Sequence, residues 1–133
     1  MSESDLAWAA GFFDGEGCVD INATNGVCGS IRALLANTSL AGVERMQALF
    51  GGSIRTYRRT TGNHVYYTWS VSATRAAAFY TAVLMYAVVK REQIEIALAY
   101  QSRRKGRGLR RDVVDHSRDV ADMQAIRRLR AAA

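Results

Sequence analysis

Two cysteines and two histidines in 133 residues are too few for several chemistries. Cys18 and Cys28 do not make a disulfide framework. Placed in the two strands of one hairpin they would be far out of register. They read as reduced thiols of a reducing compartment, cytoplasmic or organellar, in a chain that is not secreted. His64 and His116 lack metal-ligand spacing, and no role is assigned to either. There is no Cys/His zinc set, no phosphate-cradling glycine loop and no Ser/His/Asp signature. The uncharged stretch from Ala76 up to Lys90 holds too few apolar residues in a row to span a bilayer, so no membrane partner is expected. The N-terminus is acidic and polar, without a secretory pattern. No internal repeat is visible.

The composition suits one globular domain: 49% of the residues are hydrophobic, and the length is enough to bury a core. The net charge of +6 is unevenly spread. Residues 1–102 carry eight basic and eight acidic side chains, whereas 103–133 carry ten basic and four acidic ones. Six of those bases fall in Arg103-Arg104-Lys105-Gly106-Arg107-Gly108-Leu109-Arg110-Arg111. Such a run suggests a polyanionic partner, most often nucleic acid.

Hydrophobic periodicity outlines the elements. Ser4 is a plausible cap for a first helix through Asp14. Gly17–Asn22 then alternates with period two, Val19 and Ile21 on one face and Cys18, Asp20 and Asn22 on the other. A three-residue loop, Asn25-Gly26-Val27, pairs Ile21 with Ile31, Val19 with Ala33 and Asp20 with Arg32, which keeps one face apolar. The return strand runs from about Ser30 to Ala36. Asn37-Thr38-Ser39 caps a second helix, Leu40–Phe50, and Gly51-Gly52 stops it. Strands at about 53–59 and 64–72 follow, the latter with Val65, Tyr67, Trp69 and Val71 inward. The parity of the third strand is open, since turning Ile54 inward also turns the polar Thr56 and Arg58 inward. Helices at about 73–86, 91–101 and 112–129 complete the chain. The order αββαββα describes an α+β layer with an antiparallel sheet and additional C-terminal helices.

The most informative run is Ala9-Ala10-Gly11-Phe12-Phe13-Asp14-Gly15-Glu16-Gly17. Ala7, Ala10, Gly11 and Asp14 recur at helical spacing and make a face that another helix could approach closely. The helix ends at Gly15-Glu16-Gly17, so this contact delivers a carboxylate to its end. The run resembles the LAGLIDADG motif of homing endonucleases, with Ala9 in place of the first Leu and Glu16 in place of the last Asp. The element order is also that of the family core, and the resemblance covers about 4–101. The chain therefore reads as one domain, 1–133, with a basic segment and C-terminal helix at 102–133.

The resemblance implies a sequence-specific double-stranded DNA endonuclease using Mg2+, or Mn2+ or Ca2+ at the same site. With one motif per chain it implies a homodimer, through Ala7, Ala10, Gly11 and Asp14, and a roughly palindromic target. The metal-ligand role falls on Glu16, with the Gly15 carbonyl as a further ligand. Lys90 matches the basic residue near the family's active site, and Asn37 the polar residue that positions water. Asp14 matches an acid that is usually structural. In the family the polar sheet face reads base edges in the major groove. Here that set is Asp20, Asn22, Ser30, Arg32, Leu34, Arg55, Tyr57, Arg59, Tyr66, Thr68 and Ser70, with Thr24, Asn25, Arg58 and Asn63 in loops. Arg103, Arg104, Lys105 and Arg107 are expected on phosphates. An RNA splicing maturase or a non-cleaving DNA-binding protein on the same fold is the alternative, although nothing in the sequence indicates RNA.

Overall fold

The computed structural model describes residues 1–62, 64–104 and 113–132. Helix α1 spans Glu3–Glu16 and is capped by Ser2, not Ser4: the Ser2 hydroxyl accepts from the Asp5 N–H, and the Asp5 carboxylate accepts from the Ser2 N–H. This reciprocal box satisfies two donors that a helix start otherwise leaves open. A hydrogen bond from Ser2 is the largest influence holding the Asp5 carboxyl below its usual range.

Strands β1, Gly17–Thr24, and β2, Val27–Asn37, form a hairpin. Its register pairs Ile21 with Ile31, Asp20 with Arg32 and Val19 with Ala33, as expected. The expected three-residue loop is corrected, because the turn is Asn25-Gly26, flanked by Thr24 opposite Val27. Both turn residues have positive φ, 51° and 75°, as a two-residue hairpin turn demands. A bulge reconciles turn and register. Asn22 faces both Gly29 and Ser30 between the Ile21–Ile31 and Ala23–Cys28 pairs, and the extra residue shifts the parity.

Helix α2, Leu40–Phe50, connects to strands β3, Ser53–Arg58, and β4, Val65–Ser72. Gly52, at φ 94°, crosses so close to β4 that a Cβ would sit 2.5 Å from the Ser70 carbonyl. The sheet order is β1-β2-β4-β3, antiparallel throughout. Helix α3, Ala73–Val83, ends earlier than expected, in a 3-10 turn at Leu84–Tyr86, and α4, Arg91–Arg103, and α5, Val113–Ala132, follow.

One face of the sheet carries the core: Val19, Ile21, Ile31, Ala33, Leu35, Trp69 and Val71 are all buried. Phe79 of α3 sits at its centre, edge-on to Phe13, Phe50 and Trp69 at 5.1, 4.7 and 5.1 Å between ring centroids. The Trp69 indole N–H donates to the Gly51 carbonyl at 2.8 Å, satisfying its one donor inside the core. Register also settles the third strand: Ile54 lies opposite Trp69, so Ile54, Thr56 and Arg58 take the core parity while Arg55 and Tyr57 take the other. Cys18 lies opposite Leu34 and Cys28 opposite Ala23, so the two cysteines do not bond to each other. No helix among the described residues is long and apolar enough to cross a membrane.

Candidate active site

Three glycines near the end of α1 have different surroundings. A Cβ at Gly17 would lie 2.2 Å from the Phe13 ring, so this glycine is required by packing within the chain. Gly11 and Gly15 would place a Cβ in open space. They are exposed, and with Ser4 and Ala7 they make an exposed stripe of small residues along α1. Ala10 does not belong to that stripe. It is 1% exposed and buried in the chain's own core, which corrects its assignment to an intermolecular face. Asp14 is half-buried, and its carboxylate turns toward the loop before α4, where it accepts from the N–H groups of Val88 and Lys90 at 2.8 and 3.1 Å.

The last turn of α1 holds two acids, Asp14 and Glu16, and no base. This is the negative end of the helix dipole, where acids are unfavourable and a cation is favoured. The chain supplies one: the Lys90 ammonium donates to the Asp14 carbonyl at 2.6 Å. Glu16, the final residue of α1, is exposed. Its side chain opens on a cleft of about 480 Å³ lined also by Ala36, Asn37, Thr38, Arg59 and Tyr66. The fold thus brings Glu16 and Asn37 together, while Lys90 is held at the carbonyl of Asp14, two residues before Glu16. Asn37 also caps locally, its Oδ1 accepting from the Ser39 N–H at 2.8 Å.

Beyond the cleft lies the polar face of the sheet. Register aligns Tyr57 with Tyr66, Arg55 with Thr68, and Ser53 with Ser70. The Tyr57 and Tyr66 rings stack at 5.2 Å and 15°, and the Arg59 guanidinium stands 6.0 Å above Tyr66. Arg32 shares this face, opposite Asp20. Asp20 is not a free reader: it is buried, bonded to Arg32 and 3.6 Å from Arg130. The bulge displaces Asn22 and Ser30 from simple alternation, and Asn25 sits in the turn. Arg58, exposed, belongs to the other parity. Cys18, two residues beyond Glu16, is half-buried, and loss of solvent pushes its thiol up. Burial likewise raises the Tyr80 hydroxyl well above its usual range, and it donates to the Arg32 carbonyl.

The basic run divides. Arg103 pairs with Asp122 and lies 4.0 Å from Asp119, both on α5. Arg104 donates to the carbonyls of Cys28 and Gly29 and, at 2.7 Å, to the Tyr100 hydroxyl. These two arginines fasten α4 to α5 and to the hairpin, contacts that the expected phosphate role did not include. Their partners lie up to 76 residues away, beyond any local pattern. Lys105, Arg107 and Asn63 lie outside the described residues. Arg130 carries no motif, and its partner Val19 lies 111 residues away, likewise beyond any local pattern.

No family model matches the sequence, and no curated protein matches it by sequence. Solved structures do match the fold. The homing endonuclease I-CvuI, in complex with a DNA target in the presence of Mg and with the DNA not cleaved, superposes with a TM-score of 0.78. It is 18% identical, over 96% of this chain and 82% of that one. The homing endonuclease I-TnaI gives 0.56 at 13% identity, over 91% and 97%. The archaeal intron-encoded I-Vdi141I, complexed with DNA, gives 0.53 at 14%, over 94% and 98%. The chain has the α+β fold of the LAGLIDADG homing endonucleases, in agreement with the resemblance of its first helix.

Proposed function

We propose that this chain is a homodimeric, site-specific double-stranded DNA endonuclease of the single-motif LAGLIDADG type. One observation carries the reading. The exposed small-residue stripe of α1 ends in an exposed carboxylate, Glu16, that opens on a cleft shared with Asn37 at the edge of the polar sheet face. A second α1 packed along Ser4, Ala7, Gly11 and Gly15 would bring a second Glu16 to the same place.

The residues fit half of a divalent-cation site. The donors are hard oxygens, a carboxylate and the carbonyl end of a helix, which suit Mg2+ or Ca2+. Among the described residues no three His, Cys, Asp or Glu side chains converge, so one chain offers Glu16 and the Gly15 carbonyl while the partner would offer the same pair. When bound, such a cation neutralises phosphate charge and activates water. The chain's own groups do the rest. Asn37 keeps its side-chain amide N–H groups for orienting a water, since its Oδ1 is held by Ser39. Lys90 brings a positive charge against the phosphate, anchored by the Asp14 carbonyl. Arg55, Tyr57, Arg59, Tyr66, Thr68, Ser70 and Arg32 offer donors, acceptors and ring faces to base edges along the groove.

The test is selection of cut duplexes from a randomised library with Mg2+, using the wild type beside Glu16→Gln. The wild type should enrich one roughly two-fold-symmetric site. Glu16→Gln should bind that site without cutting it. A wild type that binds a site and cuts none would leave a binding module on this fold.

A further inference from the structure

Arg130 stands near the end of α5, yet its guanidinium meets the first strand. It donates to the Val19 carbonyl and lies 3.6 Å from Asp20 Oδ1. Asp20 is already bonded to Arg32, through Nε at 3.2 Å and through Nη2. Two guanidiniums therefore share one carboxylate, and a positive charge is left over. The Asp20 side chain is 13% exposed, whereas Arg32 and Arg130 keep 38% and 39% of theirs in solvent. Because Asp20 and Arg32 pair across the polar face of the sheet, this charge lies along that face, on the strand that follows Glu16.

The placement is built in. Ile126 of α5 is 1% exposed, with Val120 and Met123 packed on the same core. Arg103 fixes the preceding turns through Asp119 and Asp122. Arg130 follows Ile126 by four residues and shares its side of the helix. A guanidinium carries five N–H donors in a rigid fork. Those not used on Val19 and Asp20 can meet the oxygens of a phosphate.

We infer that Arg130 is a phosphate-positioning residue, by which the C-terminal helix contributes a guanidinium to the DNA backbone beside β1, with Asp20 aiming both Arg130 and Arg32. The inference rests on the polar sheet face being the DNA-binding surface. It assigns Asp20 to orientation of the arginines in place of base reading.

The test is the salt dependence of binding to a random-sequence duplex, which needs no cleavage. Each phosphate contact contributes about 0.9 to the slope of log affinity against log salt. Arg130→Gln should therefore lower the slope by about one unit per chain and the affinity near 0.1 M salt by roughly eightfold. Arg130→Lys, which retains the charge, should restore most of the slope. Arg128→Gln, an exposed neighbour on the same helix, should change it less. On the wild type itself, the Arg130 Nε–H resonance should shift as the duplex is added. An unchanged slope in Arg130→Gln, an equal loss in Arg128→Gln, or an unmoved resonance in the presence of bound duplex would overturn the inference while leaving the nuclease reading intact. A wild type that binds no duplex would overturn both.

Discussion

Lys90 and Asp14 hold each other at two points. The Lys90 ammonium donates to the Asp14 carbonyl at 2.6 Å, and the Lys90 backbone N–H donates to the Asp14 carboxylate at 3.1 Å. The Val88 N–H joins that carboxylate at 2.8 Å. The end of α1, which bears Glu16, is thereby tied to the start of α4. The first acid of the motif thus orients the loop that carries the lysine, while the second faces the cleft.

Asp14→Ala should cost about 1.5–3 kcal/mol in denaturant unfolding, the worth of hydrogen bonds to a charged group. A loss below about 0.5 kcal/mol would mean that water replaces the carboxylate at no cost. Lys90→Ala separates the two roles. Cleavage should fall roughly a hundredfold or more, with affinity falling no more than the roughly eightfold of one phosphate contact. Equal losses in rate and affinity, measured by single-turnover cleavage and by titration, would reduce Lys90 to a backbone contact.

Gly11→Leu and Ala10→Leu should behave oppositely. Gly11 faces open space, and a helical leucine is intrinsically better than glycine by about 0.5–1 kcal/mol, so the folded monomer should be unharmed. The dimer should be lost, as sedimentation would report. Ala10 is buried, so Ala10→Leu should cost the fold itself about 1–3 kcal/mol by overpacking. A Gly11→Leu protein that sediments as an intact dimer would refute packing through α1.

Trp69→Ala should destabilise the chain by about 3–5 kcal/mol, because it removes a fully buried ring between Phe50 and Phe79. It also leaves the Gly51 carbonyl without its donor. Chemical denaturation measures this directly, and a loss under about 1 kcal/mol would contradict the assigned sheet face.

Arg104→Gln should lower stability by about 1.5–3 kcal/mol and leave the salt slope of DNA binding unchanged, since its donors go to Cys28, Gly29 and Tyr100. A slope that drops by about one unit would place Arg104 on the phosphates after all.

Local patterns in the chain were enough to determine much of this. Alternation over Val65–Val71 identifies the buried face of β4, because side chains on a strand have a period of two. The apolar pairing of Ile21 with Ile31 determines the register of the first hairpin, since a one-residue slip would expose the whole face. The run ending at Glu16 determines where the carboxylate emerges, since helix and glycine turn are both local.

Tertiary packing decided the rest. The small residues of α1 divide into an outer stripe, Ala7, Gly11 and Gly15, and an inner Ala10 only once α1 has docked on α3 and the sheet. Gly17 is required because the Phe13 ring folds back over it. The hairpin needed a bulge at Asn22 to reconcile a two-residue turn with a register set by the core. Most of all, the arginines looked alike as a sequence of charges. Arg103 and Arg104 are consumed by carboxylates and carbonyls, and Arg130 lands beside Val19, 111 residues away. The physical reason is that an arginine's role depends on which acceptor its long side chain can reach. That is set by how helices pack on the sheet and leaves no period in the sequence to read.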